Sequence, residues 1–235
     1  MFSVSAFMWK PKGTPGFRPG PFVPDPTSST LDLTKDPSRS NGVMLTIPTG
    51  GFNRLELGYW RIYDAGDVRA PNKVSIFGAN IANNERLNTY YRLTNIRVAW
   101  NYLTWPVPPF DTKLRIKSFW EYQYTKMLPT VGFPEAKNSP APITPKQTVS
   151  LPGFGLGVEY IASKNFRMEA RGSGMTFPKR SGYWDIEANA VVRVKKVEIF
   201  GGMKGFHFHT SKKNASTYTT GTYWGPSFGL RYVIW

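Results

Sequence analysis

The chain has 235 residues, of which 40% are hydrophobic and 15% aromatic, and it carries 30 lysines and arginines against 15 acidic residues. No apolar run approaches the roughly 18 to 20 residues that a membrane-spanning helix needs, which excludes a helical membrane protein. The absence of cysteine excludes a disulfide framework and a thiolate metal site, while the net charge of +15 favours anionic partners such as nucleic acid, lipid headgroups or phosphates.

Residues 1–52 are rich in proline and glycine and show no lasting period of two or of 3.6 residues. This composition predicts an extended N-terminal arm. Such a segment needs a partner surface, or the interior of the remaining fold, to become ordered, so we expect it to contact a protein partner. The opening ten residues do not form a complete secretory signal, so we expect either that a leader precedes this numbering or that the protein is not exported.

From Asn53 onward the sequence predicts eight β-strands separated by turn signals. They span about 53–64, 89–104, 111–127, 148–162, 164–177, 183–194, 196–210 and 219–235. The segment 65–88 either extends a hairpin or adds strands, which would make ten. Tight turns alternate with longer connections, as in an antiparallel up-and-down β-barrel with both chain ends on the short-turn side. We therefore predict an all-β fold with an arm at 1–52 and a barrel at 53–235.

A period of two divides these strands into an apolar and a charged face. In residues 113–127, Trp120 and Tyr122 fall on one face and Arg115 and Lys117 on the other. Charges of both signs share the polar faces in nearly equal numbers, which favours an enclosed lumen satisfied by ion pairs. The predicted lumenal network comprises Arg115, Lys117, Glu121, Arg167, Glu169, Arg171, Asp185, Glu187 and Arg231. The run GFGLG (153–157) lacks the strand-to-helix context of a nucleotide loop and predicts small residues within a strand.

The apolar faces carry large aromatic side chains near the strand ends, which is typical of a membrane interface. These residues are Tyr59, Trp100, Tyr102, Trp120, Tyr122, Trp184, Trp224 and Trp235. The surplus basic residues fall largely in loops and predict a rim that contacts phosphate-bearing headgroups. That rim consists of Lys179, Arg180, Lys212 and Lys213. A soluble, lipocalin-like barrel with the faces exchanged is the alternative, although an eight-stranded interior has little room for so many rings. The dispersed basic residues argue against nucleic-acid binding.

The chain closes with SFGLRYVIW (227–235), which places apolar residues at alternate positions and ends on Trp235. This ending resembles the last strand of bacterial outer-membrane β-barrels, and the resemblance covers about residues 53–235. It implies a location in the bacterial outer membrane with the arm on the periplasmic side, contact with outer-membrane lipids and lipopolysaccharide, and recognition by the outer-membrane assembly machinery. Arg231 stands where an apolar residue is usual, so we expect Trp235 at the interface or a bulge in the strand.

Both histidines of the chain lie in GFHFHTSKKN (205–214). The spacing of His209 and Ser211 resembles that of outer-membrane lipid A deacylases, and the resemblance implies that His209 is the general base for Ser211. The acid of that family comes downstream, whereas no acidic residue follows Glu198 here, so the triad is incomplete. His207 and His209 share one strand face, but no further metal ligand lies near in sequence. Interfacial hydrogen bonding is the simpler interpretation, and we predict no metal and no cofactor.

These patterns predict an outer-membrane β-barrel that acts as a structural anchor, a surface-binding protein or an accessory subunit of an envelope assembly, with no enzymatic activity. An ion-paired lumen of eight strands is largely occluded by its own side chains. Ten strands would instead leave room for a narrow, weakly anion-preferring pore. Lipid A hydrolysis through His209 and Ser211 is a third hypothesis, and a soluble carrier is a fourth.

Overall fold

The computed structural model describes residues 2–13, 15–19, 31–33, 39–70, 74–76, 79–106, 112–134, 142, 144, 146–177, 181–210 and 217–234. All regular secondary structure in these residues is β-strand. They contain no helix of the length and hydrophobicity that crossing a membrane requires.

Ten strands pair antiparallel in a closed ring. In their order around the ring they are β1 (Ser3–Trp9), β4 (Ser40–Gly50), β5 (Asn53–Arg69), β8 (Arg86–Trp105), β9 (Leu114–Gly132), β10 (Gln147–Ile161), β11 (Phe166–Thr176), β12 (Gly182–Val194), β13 (Val197–His209) and β14 (Thr217–Val233). The first and last of these strands close the ring, with Ser3 opposite Val233 and Trp9 opposite Ser227. The barrel wall therefore has no open edge, and its backbone donors and acceptors are paired between strands.

The predicted number of eight strands is wrong because the two strands β1 and β4 come from within residues 1–52. β1 is only seven residues long, and β4 contains Gly42 and Pro48, so neither gives a strong strand signal in the sequence. The boundary predicted between residues 52 and 53 consequently cuts through the barrel. The segment 65–88 contributes a taller hairpin instead, since β5 and β8 remain paired up to Arg69 opposite Arg86.

Four short strands lie outside this ring. β2 (Gly16–Pro19) pairs with the first residues of β14, β3 (Leu31–Asp32) pairs with β2, and β6 (Val74–Ile76) pairs with β7 (Ala79–Ile81) in a separate sheet. We call the end of the barrel that carries both chain termini the terminus end. The opposite end, to which the longer connections belong, is the loop end.

The connection between β1 and β4 lies at the loop end, as its pairing with the start of β14 shows. Phe17 and Leu33 of this connection are completely buried. The extended arm predicted on the side of the chain termini is therefore not confirmed, because its described residues belong either to the barrel wall or to the opposite end. Residues 20–30 and 34–38 lie outside the described part of the chain.

The barrel wall is apolar outside and polar inside. Trp120 exposes 60% of its surface on the outer face, whereas the next residue, Glu121, exposes 5% and points inward. Leu156 and Leu230 are similarly exposed on the outside. This is the arrangement of a membrane barrel, and the soluble lipocalin-like alternative requires the opposite one.

Two glycines of β10 make room for rings inside the lumen. The ring of Phe119 occupies the position that a side chain on Gly155 would need, and the Tyr183 hydroxyl does the same beside Gly153. The run GFGLG is therefore explained by packing, since any larger residue at these two positions would displace an aromatic side chain.

Removal of residues 1–45 tests the assignment of β1 and β4 to the wall. The deletion takes away one strand and half of the next, so β14 and β5 become open edges and we expect no folded species. The measurement is the difference in gel mobility between boiled and unboiled detergent-purified protein, together with far-UV circular dichroism.

The control for this deletion replaces residues 74–81 with a Gly-Asn turn. This change removes the separate β6–β7 pair and leaves the ten-strand ring intact, so the heat-dependent shift in mobility should persist. A deletion of residues 1–45 that still shows the shift would contradict the ten-strand wall.

Candidate functional site in the barrel lumen

The half of the lumen nearer the terminus end contains six acidic and six basic side chains in two ion-paired clusters, which we together call the lumenal charge network. Its members are Glu56, Arg97, Lys117, Glu159, Arg167, Glu169, Arg171, Asp185, Glu187, Glu198, Lys204 and Arg231. All of them project from inward positions of the wall, because period-two alternation keeps the residues of one strand face on the same side.

Glu198 of β13 is the most deeply buried acid of the network, with no exposed surface. Arg167 binds it with both guanidinium arms, at 2.8 Å and 2.6 Å, and Arg231 donates a third hydrogen bond to it at 3.0 Å. Arg167 also reaches Glu169 at 2.7 Å and Glu159 at 3.1 Å. A two-armed guanidinium–carboxylate pair is among the strongest polar contacts in proteins, so this cluster links β10, β11, β13 and β14 rigidly.

Arg171 connects opposite walls of the barrel. Its guanidinium lies 2.6 Å from Glu187 on the neighbouring strand β12 and 3.1 Å from Glu56 on the distant strand β5. Glu56 also accepts a hydrogen bond from Arg97 of β8 at 3.3 Å. These contacts cross the lumen, so the network fills its centre as well as lining its wall.

Lys204 and Asp185 form the most enclosed ion pair, with 2.7 Å between Nζ and Oδ1 and only 4% of each side chain exposed. Asn189 supplements the network by donating to Glu187 at 2.8 Å. Because two isolated charges would be costly to bury here, their mutual contact and the hydrogen bonds around them compensate for lost hydration.

Two of the predicted network residues stand apart. Arg115 lies 3.9 Å from Glu159, which has closer partners in Lys117 and Arg167. Glu121 accepts hydrogen bonds from Tyr183 and from Gln123, each at 2.9 Å, and among the described residues no basic group lies within ion-pair distance of it. Its partners in the structure are therefore uncharged hydrogen-bond donors.

The half of the lumen nearer the loop end is filled by large rings and aliphatic side chains. We call this set the aromatic plug, and its members are Trp9, Phe17, Leu33, Trp60, Tyr91, Phe206, Phe208 and Tyr223. Trp60 packs edge-to-face against Trp9 and Phe206, with ring centroids 5.5 Å and 4.9 Å apart. The sequence prediction missed this plug because its rings stand at the same alternate, inward-facing positions of the strands as the charged residues do. The signal that could have revealed it is this shared alternation, as at Lys204, Phe206 and Phe208 of β13.

The predicted interfacial aromatics point outward wherever the structure describes them. Trp100 and Trp120 are register partners near the terminus end, and Trp184 and Trp224 lie together near the loop end with ring centroids 5.2 Å apart. Tyr59 and Tyr122 are also exposed, and Tyr102 and Trp184 are partly buried. The rim residues Lys179, Arg180, Lys212 and Lys213 lie outside the described residues, as does Trp235.

The histidines belong to the outer aromatic surface near the loop end. His207 stacks on Trp184 with ring centroids 5.6 Å apart and shares a 2.7 Å hydrogen bond with Thr222, while His209 lies 5.8 Å farther along the same face. Within the described residues neither imidazole contacts a carboxylate, and no group of three potential metal ligands occurs. Ser211 lies outside those residues, so the structure does not bring the two halves of the predicted dyad together.

Arg231 of β14 points into the lumen. The pairing of this strand with β13 is continuous from Thr220 to Tyr232 without a bulge, and Leu230 and Tyr232 face outward. The departure from the usual terminal pattern therefore reflects a lumenal ion-pair partner rather than an irregular strand.

A closed antiparallel barrel with an apolar outer surface and a charged interior has the outer-membrane β-barrel fold, which confirms the class predicted from the C-terminal strand. The crystal structure of the outer membrane protease OmpT from Escherichia coli is similar, with a TM-score of 0.63 and 10% identity over 99% of this chain and 96% of that one. At this identity the likeness shows the fold alone.

Two other solved structures align over most of their length with lower scores. Ail, the attachment invasion locus protein of Yersinia pestis, has a TM-score of 0.37 and 6% identity over 97% of this chain and 98% of that one. Neisserial surface protein A has a TM-score of 0.36 and 13% identity over 99% and 97%. No protein-family model and no curated protein sequence matches this chain.

Substitution of Lys204 by Met tests whether the enclosed ion pair stabilises the barrel. The change leaves Asp185 as an unpaired charge in the lumen, and the free energy of unfolding should fall by about 3 kcal/mol. Adding Asp185→Leu to the same chain should restore most of that loss. Urea unfolding in detergent micelles measures both effects.

Arg86 and Asp67 provide the matched control, because their ion pair lies at the loop end with about half of each side chain exposed. Arg86→Met should reduce the free energy of unfolding by less than about 1 kcal/mol. Equal losses of unfolding free energy in Lys204→Met and Arg86→Met would contradict a stabilising role for the lumenal pair.

Proposed function

We propose that this protein is a non-conducting barrel of the bacterial outer membrane, serving as a structural anchor or surface-binding protein rather than as a pore. The outer face supports this location, because its exposed aliphatic and aromatic side chains suit contact with lipid tails and headgroups. The aromatic plug supports the non-conducting role, because its buried rings extend from β1, β5, β8, β13 and β14 and pack together inside the lumen.

The plug is the single observation that carries this proposal. Trp60, Phe206 and Trp9 are at most 4% exposed although they point into the lumen of a ten-stranded barrel. Phe17 and Leu33, from the connection between β1 and β4, complete the same cluster. A hydrated channel of useful width would leave such rings in contact with water, and here they contact one another instead.

Ten strands make the pore alternative geometrically reasonable, since the diameter of a barrel grows with its strand number. The extra width is taken up by the aromatic plug in one half and by long, ion-paired arginines such as Arg171 in the other. We therefore assign the additional strands to a wider core rather than to a passage.

The connection between β1 and β4 has a different role in this proposal from the one that its composition suggested. Its buried residues act as part of the plug, so we assign it to closing the lumen rather than to capturing a protein partner. We place the loop end at the cell surface and the termini in the periplasm, as short turns and chain ends are arranged in barrels of this fold. The outward group of Trp184, His207 and Trp224 would then contact lipopolysaccharide or outer-leaflet headgroups.

Planar-bilayer recordings of the full chain test this function. The wild-type protein should show no stepwise conductance, whereas the variant Trp60→Ala/Phe206→Ala should show openings because it removes a central ring pair from the plug. Regular current steps from the wild-type protein would overturn the proposal in favour of a pore.

Trp120 and Phe154 offer a control of the same size on the outer face. Their rings also meet edge-to-face, with centroids 5.2 Å apart, compared with 4.9 Å for Trp60 and Phe206. The variant Trp120→Ala/Phe154→Ala should stay closed. Openings in both double variants would show that loss of ring packing in general, rather than of the plug, admits ions.

A further inference from the structure

The lumenal cavity at the terminus end is lined by more basic than acidic side chains. The cavity there has a volume of about 280 Å³ and is lined by ten basic and six acidic side chains, an excess of four positive charges. Each of the six acids has at least one basic partner within the network. The basic residues beyond those partners are Arg54, Arg115, Lys164 and Arg193.

These four cations surround one opening although they come from separate parts of the chain. Arg54 and Arg115 are each the second residue of a wall strand, β5 and β9, and Arg193 is next to last in β12. Lys164 lies in the turn between β10 and β11. All of these positions are at the terminus end, so we call this group the basic mouth.

The polar contacts of Arg115 and Arg193 in the basic mouth are either long or made to an uncharged acceptor. Arg115 is 3.9 Å from Glu159, whose two oxygens have closer contacts with Lys117 at 2.9 Å and with Arg167 at 3.1 Å. Arg193 donates from Nε to the carbonyl of Lys195 at 3.1 Å. Glu159 thus lies closer to the bases of the network than to Arg115, and the mouth retains its charge.

Two buried donors at the same cavity lack an acceptor among the described residues. They are Nε of Arg115 and Nδ2 of Asn101, and both residues line the cavity. A buried N–H group without an acceptor destabilises the structure, and natural proteins normally satisfy such groups with protein, water or ligand. Both atoms are donors in a positively charged setting, where an anionic acceptor is favoured over a neutral one.

We propose that the basic mouth binds a small, soluble oxyanion of the phosphate type on the periplasmic side of the barrel. Arginine is suited to this ligand because its planar donors match two oxygens of one anion, and the enclosed cavity weakens competition from water. Arg54 and Asn101 lie opposite each other on β5 and β8, so the ligand's oxygens would be shared between neighbouring strands. Binding at the mouth does not depend on whether the plug blocks conduction.

Isothermal titration calorimetry of the full-length, detergent-solubilised protein with inorganic phosphate tests this site. The reference titration uses sodium chloride at equal ionic strength, which separates binding from screening. We expect saturable heat with the wild-type protein, and an affinity about tenfold or more lower in Arg54→Gln/Arg115→Gln, since a charge-assisted hydrogen bond accounts for about one such factor. The heat-dependent shift in gel mobility checks that each variant is folded.

Arg92→Gln is the matched control, because Arg92 is exposed on the outer face toward the loop end and bonds to Tyr90 there. Its phosphate affinity should equal that of the wild type. Should the double variant not fold, Arg193→Gln replaces it, since the hydrogen bond that its side chain makes among the described residues goes to a turn carbonyl. Its affinity is also expected to fall.

Three results would overturn the proposal. The first is an absence of saturable heat in the wild-type protein up to roughly 10 mM phosphate, which is weaker than a specific site would give. The second is an equal loss of affinity in Arg92→Gln, which would indicate attraction to net charge alone. The third is binding that occurs only when phosphatidylglycerol vesicles replace inorganic phosphate, which would assign the mouth to lipid headgroups instead.

Discussion

The antiparallel pairing of β1 with β14 closes the barrel. A sheet in lipid cannot leave an edge unpaired, because its backbone donors and acceptors have no water to bind. The first strand must therefore lie beside the last, with Ser3 opposite Val233. Once the ring is closed, the pleat assigns each residue either to the lipid or to the lumen. The exposed Leu230 and the lumenal Arg231 show how sharply one position changes that environment.

A ring of ten strands encloses more space than aliphatic side chains of one wall can fill, and the chain fills it in two ways. Toward the loop end, Trp9, Trp60 and Phe206 pack face and edge, with Phe17 and Leu33 added from the connection between β1 and β4. Toward the terminus end, long arginines extend across the lumen to acids on other strands. The apolar contacts at the loop end exclude water, and at the terminus end buried charge is compensated by opposite charge. The positive excess among the cavity-lining residues then belongs to the mouth.

Local periodicity was sufficient to predict most of the wall and its polarity, because period two is a property of single strands. It identified β9 and β12 and placed Arg167, Glu169 and Arg171 in the lumen. It could not reveal β1, which is short and pairs with the last strand of the chain, or β4, whose Gly42 and Pro48 weaken the strand signal. The contact of Arg171 with Glu56 likewise depends on barrel closure, since the two residues are 115 positions apart. The sequence did not reveal the plug, because lumenal aromatic residues and lumenal charged residues stand at the same alternate positions along a strand.

Site-directed spin labelling along β12 in lipid bilayers tests directly which side chains face the lipid. The chain has no cysteine, so none has to be replaced beforehand. Single cysteines at Ile186, Glu187, Ala188, Asn189 and Ala190 would each carry a nitroxide, and relaxation by oxygen and by a water-soluble nickel complex would be measured. We predict high oxygen accessibility at Ile186, Ala188 and Ala190, and low oxygen accessibility at Glu187 and Asn189. The opposite alternation, or equal accessibility at all five positions, would contradict a barrel with a lipid-facing apolar surface and a charged, filled lumen.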